Sequence, residues 1–369
     1  MAEFNEHDGR GGRERGRGGR DMRRPNRDEQ REERRREAAR HTGLMKAAFG
    51  RETDEAIENA RIYEEGEGRA LLWGAEATAA ARVAKAAAEM AEADAEGAQA
   101  GNEEACEAVE IAEEAAEAAE EAAESDAAAP TATETTVKVV TSFAPEALYR
   151  DATGKTMIVD PGAFTRPGGA YEDGAFGPEQ ILCSESNLYP ILVAHKRDFY
   201  DKNRDYRRGS LFTDRALYVP EVLFSRGGDV RRADVLVIAE PVRAFALENH
   251  RSERECDKAL ADRIEAIFRI AAANGTETLI VGAFGCGRNG YPVEQVIELI
   301  QNWIAEHPGA VPNVVFAVPR MHADAFREAF GAPEPERSAP VVVAEDEGDR
   351  EGDDEDWRNV ELPEGVTLR

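Results

Sequence analysis

The chain has 369 residues, long enough for one to three domains with a substantial core, and a formal net charge of −28 at pH 7. Such an acidic chain is a poor general binder of nucleic acids or anionic membranes, so any phosphate must be held by local N–H groups and a few cations. The four cysteines and six histidines form no C-x-x-C or H-E-x-x-H motif, so we expect no disulfide framework and no metal site. Without a membrane-length apolar stretch or a signal-peptide core, the sequence predicts a cytoplasmic protein.

The first third of the chain and its last segment are biased in composition. Residues 1–40 are predicted to be a disordered Arg/Gly-rich arm, although a helical pattern begins near Asp28; Arg-Gly repeats can bind RNA, but the interleaved acids favour a plain arm. Residues 41–89 have the pattern of a helical region. Residues 90–135 are dominated by Ala and Glu and lack basic partners, which predicts an exposed, partly helical low-complexity insert. Residues 334–369 are predicted to be an acidic disordered tail.

Strand and helix patterns alternate between residues 136 and 333. The sequence therefore predicts an α/β domain, a three-layer α/β/α sandwich. The predicted strands are 137–141, 156–159, 217–224, 234–239, 278–284 and 313–318. The predicted helices are 145–150, 178 to about 194, 252–273 and 293–304, with a closing helix that contains Phe326 and Phe330.

The first glycine-rich loop follows the strand that ends at Asp160. Its glycines, at positions 168, 169, 174 and 177, allow positive φ angles and a close approach to a ligand. Pro178 suits the first position of a helix, which places Glu179 and Gln180 in the first turn. Free N–H groups at a helix start favour an anion. In isolation, the loop could equally be an ordinary surface connection between a strand and a helix.

The second loop, Gly285-Cys-Gly-Arg-Asn-Gly290, also lies between a predicted strand and a predicted helix. It has the G-x-G-x-x-G spacing of a pyrophosphate cradle. A Rossmann dinucleotide site fits poorly, because its glycines should follow the first strand and an acidic residue should end the next one. Here the loop comes late in the domain, and the next strand ends in Pro319-Arg320. We therefore retain the phosphate cradle and reject the Rossmann interpretation.

Together the two loops resemble the bacterial-type poly(ADP-ribose) glycohydrolases, a family with a macrodomain-like fold. The family signature is Gly-Gly-Gly, six to eight residues, then Gln-Glu-Glu, and this chain has Gly168-Gly169-Ala170 and Pro178-Glu179-Gln180. The stretch Gly282-Ala-Phe-Gly-Cys-Gly287 matches the family's phosphate loop. The resemblance covers roughly residues 137–330 and implies a mixed sheet with helices on both sides.

The resemblance also implies the ligand and the site. The partner would be ADP-ribose or an ADP-ribosylated protein, with no cofactor and no metal, and we expect no membrane partner, no general nucleic-acid binding and a monomer. The catalytic positions would be Glu179 and Gln180. The ADP-ribose-binding positions would be Gly168, Gly169, Ala170, Gly282, Gly285, Cys286, Gly287, Arg288, Asn289 and Gly290.

Several residues depart from the family pattern. The second Glu of the family's acidic pair is the catalytic one, and here it is Gln180. An amide cannot donate a proton as a carboxylic acid does, and loss of a general acid typically lowers the rate ~10²–10⁴-fold. In addition, Ala170 replaces the third glycine, Pro178 replaces the family's Gln, and Arg288-Asn289 stands where an aromatic residue is usual.

Two functions remain open from the sequence. In a hydrolase, Glu179 would act as a base or an electrostatic group, because a helix N-terminus favours its ionised form, with Glu172 and Asp173 as candidate substitutes for the missing acid. In a non-hydrolysing reader of ADP-ribosylation, Gln180 would hydrogen-bond a ribose hydroxyl. A third interpretation makes the acidic Ala-rich region a protein-interaction scaffold.

Overall fold

The structure is a computed structural model that describes residues 26–74 and 134–331. The expectations for residues 1–25, for nearly all of the Ala/Glu-rich insert and for the acidic tail fall outside the described residues.

In the described ranges, seven strands form one mixed sheet in the order β1-β4-β5-β3-β6-β7-β2. Five of them, β5, β3, β6, β7 and β2, run parallel, while β4 is antiparallel to both of its neighbours. The strands are β1 (Arg61–Tyr63), β2 (Thr136–Val140), β3 (Thr156–Asp160), β4 (Ala216–Arg226), β5 (Asp229–Ile238), β6 (Thr278–Val281) and β7 (Asn313–Ala317). The predicted mixed sheet is confirmed.

Helices cover both faces of this sheet. They are α1 (Arg27–Glu58), α2 (Glu67–Ala70), α3 (Ala144–Asp151), α4 (Pro178–Ser184), α5 (Leu188–Ala194), α6 (Arg243–Glu248), α7 (Glu253–Ala273), α8 (Val293–Glu306) and α9 (Arg320–Phe330). Short 3₁₀ turns occur at Tyr171–Asp173, Lys202–Tyr206, Arg208–Ser210 and Gly287–Asn289, and a π-helical turn at Lys196–Tyr200. None of the helices in these ranges has the length and apolar character needed to cross a membrane.

The core is divided by the sheet because strand side chains alternate between its faces. On β3, Met157 and Val159 face one side, where they pack with buried residues of α7, α8 and α9. Ile158 faces the other side, where it packs with buried residues of α1, α3, α4 and α5. Two apolar layers separated by one sheet confirm the predicted three-layer α/β/α sandwich.

Local signals set the bounds of the long helix α7. Ser252 caps it with its side chain, which accepts the N–H of Glu255, while the Glu255 carboxylate accepts the N–H of Ser252. This capping box satisfies two N–H groups that the helix itself cannot. Gly275, at a φ of +64°, follows the end of the helix. The predicted range 252–273 is therefore correct to within one residue.

Two predictions for the N-terminal part are wrong in part. The disordered arm was expected to reach residue 40, but α1 begins at Arg27, where a helical pattern was also predicted, and buries Ala38 against the domain. The region 41–89 was expected to be helical, which α1 confirms as far as Glu58, but residues 61–63 form strand β1, and residues 75–89 lie outside the described residues. This strand pairs with β4 at the sheet edge, so tertiary pairing overrides the local helical pattern.

The helix predicted from 178 to about 194 is broken in two. Asn187, between α4 and α5, is fully buried. Its amide donates to the Thr53 hydroxyl at 2.9 Å, and its side-chain oxygen accepts the N–H of Leu223 at 2.9 Å. Polar partners on α1 and β4 therefore hold the chain at the break, and both lie far away in the sequence.

Candidate functional site

One cavity of about 800 Å³ opens at the carboxyl ends of the five parallel strands. Clefts at this edge of an open α/β sheet are the usual place for a ligand, and this volume suits a small molecule. The cavity wall includes parts of both glycine-rich loops, which are remote in the sequence. The fold therefore brings the two predicted motifs to one site.

Not every predicted residue reaches the cavity. Eight of them line it: Gly169, Glu179, Gln180, Gly282, Cys286, Gly287, Arg288 and Asn289. The other four, Gly168, Ala170, Gly285 and Gly290, belong to the same loops but do not line it.

Glu179 lies in the first turn of α4 and is only 4% exposed. Its Oε2 accepts the N–H of Ala163 at 3.0 Å, whereas its buried Oε1 has no hydrogen-bond partner among the described residues. Burial, and after it the charge of Asp160, raises the pKa of Glu179 well above its usual value, and backbone N–H groups of the loop offset this only in part. This shift is opposite in direction to the effect of the helix start, which was expected to keep Glu179 ionised.

Gln180 lies beside Glu179, against the glycine turn. Its Nε2 donates to the carbonyl of Gly168 at 3.1 Å and lies 3.4 Å from Glu179 Oε2. A Cβ at Gly169 would lie 2.5 Å from Gln180 Nε2 and 2.9 Å from Glu179 Oε2, at a φ of +61°. Only glycine lets the turn pack this closely on both side chains.

Glu172 and Asp173, the two candidate substitutes for the missing acid, lie on the outer side of the first loop. Both accept from Arg166, at 2.9 and 2.7 Å, and neither lines the cavity. A hydrogen bond from Tyr189 and the contact with Arg166 lower the pKa of Glu172, and the contact with Arg166 lowers that of Asp173. Their suggested role as replacement acids is therefore not supported, since both carboxyls are held in the ionised form and away from the site.

A residue that we did not predict, Glu240, holds the second loop. Glu240 lies two residues after the end of β5 and lines the cavity. Its Oε1 accepts the N–H of Gly285 at 2.7 Å, and its Oε2 accepts the Asn289 amide at 2.5 Å. Burial raises the pKa of Glu240 to about 7 against the lowering effect of these hydrogen bonds and of Arg288. The sequence could have indicated Glu240, because it is an acidic residue at the carboxyl end of the predicted strand 234–239.

Asp160 is a second carboxyl that was not predicted, and it lies between the cavity-lining residues Val159 and Pro161. It ends β3, it is 0% exposed, and neither carboxyl oxygen has a hydrogen-bond partner in the described part of the chain. Burial, and after it the charge of Glu240, raises the pKa of Asp160 to about 8. A carboxyl group at the end of an otherwise apolar strand could have indicated it from the sequence.

Large apolar side chains stand exposed at the mouth of the cavity. Phe143 follows β2, Phe176 precedes α4 and is 68% exposed, and Met321 in α9 is 80% exposed. Exposed apolar groups around a cleft are typical of ligand sites. Aromatic rings at the mouth of a cleft can stack on a flat ring of a ligand.

The comparisons with known proteins agree with this architecture. The sequence model of the family described as microbial-type PARG, catalytic domain, matches residues 42–227, which is half of the chain. The chain belongs to the microbial-type poly(ADP-ribose) glycohydrolase (PARG) family. The matched range contains the first glycine-rich loop, and the second loop lies beyond it. A search of curated proteins found no match.

Solved structures of bacterial enzymes share the fold. The poly(ADP-ribose) glycohydrolase from Thermomonospora curvata aligns with a TM-score of 0.56 and 20% identity over 81% of this chain and 98% of that one. The same enzyme bound to the inhibitor ADP-HPD aligns at 0.55 and 19% identity, with the same coverage. The enzyme from Deinococcus radiodurans in complex with ADP-ribose aligns at 0.53 and 18% identity over 76% of this chain and 97% of that one. The macrodomain-like fold expected from the sequence is therefore confirmed.

Proposed function

We propose that this protein binds ADP-ribose in the cavity at the carboxyl edge of the sheet and hydrolyses O-glycosidic ADP-ribose linkages. The observation that carries this proposal is the convergence of both glycine-rich loops on one cavity, with Glu179 in its wall. Membership of the PARG family supports it, as do the ADP-ribose and ADP-HPD complexes of proteins with the same fold.

The second loop suits the diphosphate. Gly287 lines the cavity at a φ of +66°, and a Cβ there would meet no atom within 4 Å, so the backbone faces open space. Arg288 next to it supplies a local positive charge, which a chain of net charge −28 needs at a phosphate site. The first loop would then hold the ribose next to the scissile bond.

The direction of the pKa shift at Glu179 suits an acid. Burial raises the pKa of Glu179 well above its usual value, which favours the protonated form that can give a proton to the leaving oxygen as the glycosidic bond breaks. Water then adds to the oxocarbenium-like carbon and returns a proton to Glu179. Gln180 has no proton to give, and its amide, half-buried beside Glu179, is placed to orient a ribose hydroxyl.

A specific observation also favours a second candidate, a reader that binds ADP-ribose without cleaving it. The residue at the family's catalytic position is an amide, and no other carboxyl of the first loop reaches the cavity in its place. Binding and chemistry are therefore tested separately.

The experiment uses the full chain and titrates it with ADP-ribose by calorimetry. Absence of binding by a folded sample at millimolar ligand contradicts both candidates. Release of ADP-ribose from poly(ADP-ribose) is then compared for wild type, Gln180→Glu and Glu179→Gln. For a degenerate hydrolase, Gln180→Glu should raise a slow rate by about 10²-fold or more, the usual contribution of a general acid. If wild type is already fast and Glu179→Gln abolishes its activity, the chemistry belongs to Glu179. If every form binds ADP-ribose but none releases it from the polymer, the protein is a reader.

The predictions for the cellular ligand, the oligomeric state and the cellular compartment are also part of this proposal. We propose an ADP-ribosylated protein as the cellular ligand, bound by a monomer in the cytoplasm. Size-exclusion chromatography with light scattering tests the monomer.

A further inference from the structure

A second cavity, which we call the outer cavity, lies on the outer side of the first glycine-rich loop. Its volume is about 770 Å³, and it shares no lining residue with the cavity at the sheet edge, the first cavity. Four of its lining side chains are cationic and one is a carboxylate: Arg166, Lys196, Arg204, Arg207 and Glu172. In a chain of net charge −28, such a concentration of positive charge favours an anionic ligand.

The carboxylate of the outer cavity is already bound. Glu172 accepts from Arg166 at 2.9 Å and from the Tyr189 hydroxyl at 2.7 Å. Arg166 also donates to Asp173 at 2.7 Å. These four side chains satisfy one another, so they shape the wall of the outer cavity and leave its charge to the other cations.

Those other cations carry an excess of positive charge. Lys196 and Arg207 are exposed, and neither has an ion-pair partner among the described residues. Arg204 pairs with Asp201 at 3.0 Å, but 62% of its side chain is exposed, and a pair in that setting contributes little. Three cations around one cavity match a phosphate group, whose several oxygens accept from Lys and Arg donors at once.

The two cavities have a common wall. In the first loop, Phe164 lines the first cavity, whereas the next three residues, 165–167, line the outer one. Across from them, Arg207 lines the outer cavity and Phe212 the first, and the N–H of Phe212 donates to the Arg207 carbonyl at 3.0 Å. The rings of Phe164 and Phe212 stack with their centroids 4.7 Å apart. A ligand too long for the first cavity therefore reaches the cations of the outer cavity by crossing this wall.

We propose that the outer cavity binds the diphosphate of a second ADP-ribose unit, so that the protein binds the polymer more tightly than a single ADP-ribose. This inference rests on the proposed function, because the terminal unit must occupy the first cavity with its ribose at the first loop. In poly(ADP-ribose), the group on the other side of the glycosidic bond is another ADP-ribose unit with a diphosphate of its own. A nucleic acid also carries phosphates, but the acidic remainder of the chain repels a long phosphate backbone.

The test compares two ligands by calorimetry in the full chain: ADP-ribose and an oligomer of about four ADP-ribose units. Every chain also carries Glu179→Gln, so that the oligomer is not cleaved during the titration. With the outer cavity intact, the oligomer should bind roughly tenfold or more tightly than ADP-ribose, since two or more charge-assisted hydrogen bonds are added. The double variant Lys196→Gln/Arg207→Gln should lose this gain and keep its affinity for ADP-ribose. The gain should also shrink when salt is raised from about 50 to about 300 mM, because exposed charges are screened.

Arg197→Gln/Lys202→Gln is the matched control. Both residues are exposed and belong to the same segment of the chain as Lys196 and Arg207, but neither lines either cavity. The control removes the same two positive charges from the protein, so it should keep most of the gain for the oligomer. All four replaced side chains are exposed, so both double variants should melt at the same temperature as the parent chain.

The outcomes separate this inference from the proposed function. Absence of ADP-ribose binding by wild type overturns the proposed function. If ADP-ribose binds but the oligomer binds no more tightly, or if both double variants lose the gain equally, the outer cavity is not a subsite for the polymer. Inorganic diphosphate that binds at Lys196 and Arg207 without any gain for the oligomer shows a site for free anions and overturns the inference. An RNA oligonucleotide with the same number of phosphates that displaces the oligomer equally well overturns the assignment to ADP-ribose units.

Discussion

The protonation state of Glu179 is decided by the relative size of two effects. A helix N-terminus stabilises a negative charge by about 0.3–1 kcal/mol, less than one pKa unit. Full burial can shift a carboxyl pKa by up to 3–5 units in the opposite direction. Glu179 is 4% exposed, and burial is the largest contribution to its pKa shift, followed by the charge of Asp160. The same residue therefore changes from a predicted base to a proposed acid once its surroundings are known.

Gly287→Ala should weaken ADP-ribose binding. The glycine has a φ of +66° and faces open space in the cavity, so a methyl group fits sterically but stands where the diphosphate must approach the backbone. Calorimetric titration with ADP-ribose measures the loss of affinity. Gly275→Ala is the control, because that glycine has a φ of +64°, equally open surroundings and no contact with the cavity. Equal binding by both variants would contradict a diphosphate at the second loop.

Glu240 should make ADP-ribose binding depend on pH. Its pKa is raised to about 7 by burial, so above pH 7 it adds a negative charge under the loop that is proposed to hold the diphosphate. The dissociation constant should rise between pH 6 and pH 8, by roughly tenfold at most for a single linked proton. Glu240→Gln should flatten this rise and keep the hydrogen bond from Gly285. If the pH dependence of the dissociation constant is unchanged in Glu240→Gln, it arises from Asp160 and Glu179 instead.

Helix α1 is part of the site although it does not line the cavity. Arg31 donates from its Nε to the carbonyl of Asp173, and Arg34 from its Nε to the carbonyl of Gly174, each at 2.9 Å. A Cβ at Gly174 would lie 2.0 Å from the carbonyl oxygen of Arg31, so the helix backbone packs directly on the first loop. The helix thereby holds in place the first glycine-rich loop, which leads into Glu179 and Gln180 at the start of α4.

Deletion of residues 1–40 should therefore lower both the melting temperature and the affinity for ADP-ribose. It removes the first part of α1, with Arg31, Arg34 and the buried Ala38. Thermal unfolding and calorimetry measure the two effects. Deletion of residues 1–25, which leaves α1 whole, serves as the control and should change neither quantity. If the longer deletion also leaves the melting temperature and the affinity for ADP-ribose unchanged, α1 does not support the loop.

Across the whole molecule, the pKa values of carboxyl groups are shifted in opposite directions at the surface and in the core. Lowered carboxyl pKa values belong to exposed or half-exposed groups with partners, such as Glu64 beside Arg215 and Glu172 beside Tyr189 and Arg166. Raised values belong to the buried carboxyls Asp160, Glu179 and Glu240 and to the half-buried Glu185. In each of these groups burial is the largest cause, and it favours the protonated form.

Stability should consequently fall as the pH rises from about 4 to above 8. Groups with a folded-state pKa above the unfolded value bind more protons in the folded protein, so their contribution is complete below about pH 4 and is lost through pH 7–8. Thermal unfolding between pH 5 and 9 measures this, with the double variant Asp160→Asn/Glu240→Gln as the comparison. The double variant should lose most of the slope. A wild-type protein whose stability is flat over this range would contradict protonated carboxyls in the site.

Local patterns in the sequence were sufficient for the elements of the domain and for its family. The alternation of apolar runs located six of the seven strands, and the capping residues of α7 gave its bounds. The glycine spacing of both loops predicted a phosphate cradle, because positive φ angles and close backbone approach are properties of individual residues. The short strand β1 was missed, since its three residues become a strand by pairing with β4.

Burial and neighbours, which depend on the folded chain, decided the chemistry of the site. The sequence alone predicted an ionised Glu179, two substitute acids on the first loop and a disordered arm to residue 40. In the fold, Glu179 is buried, the substitutes are held by Arg166 on the outer side, and α1 packs on the loop. A carboxyl pKa depends on desolvation and on charges a few ångströms away, and residues remote along the chain supply both.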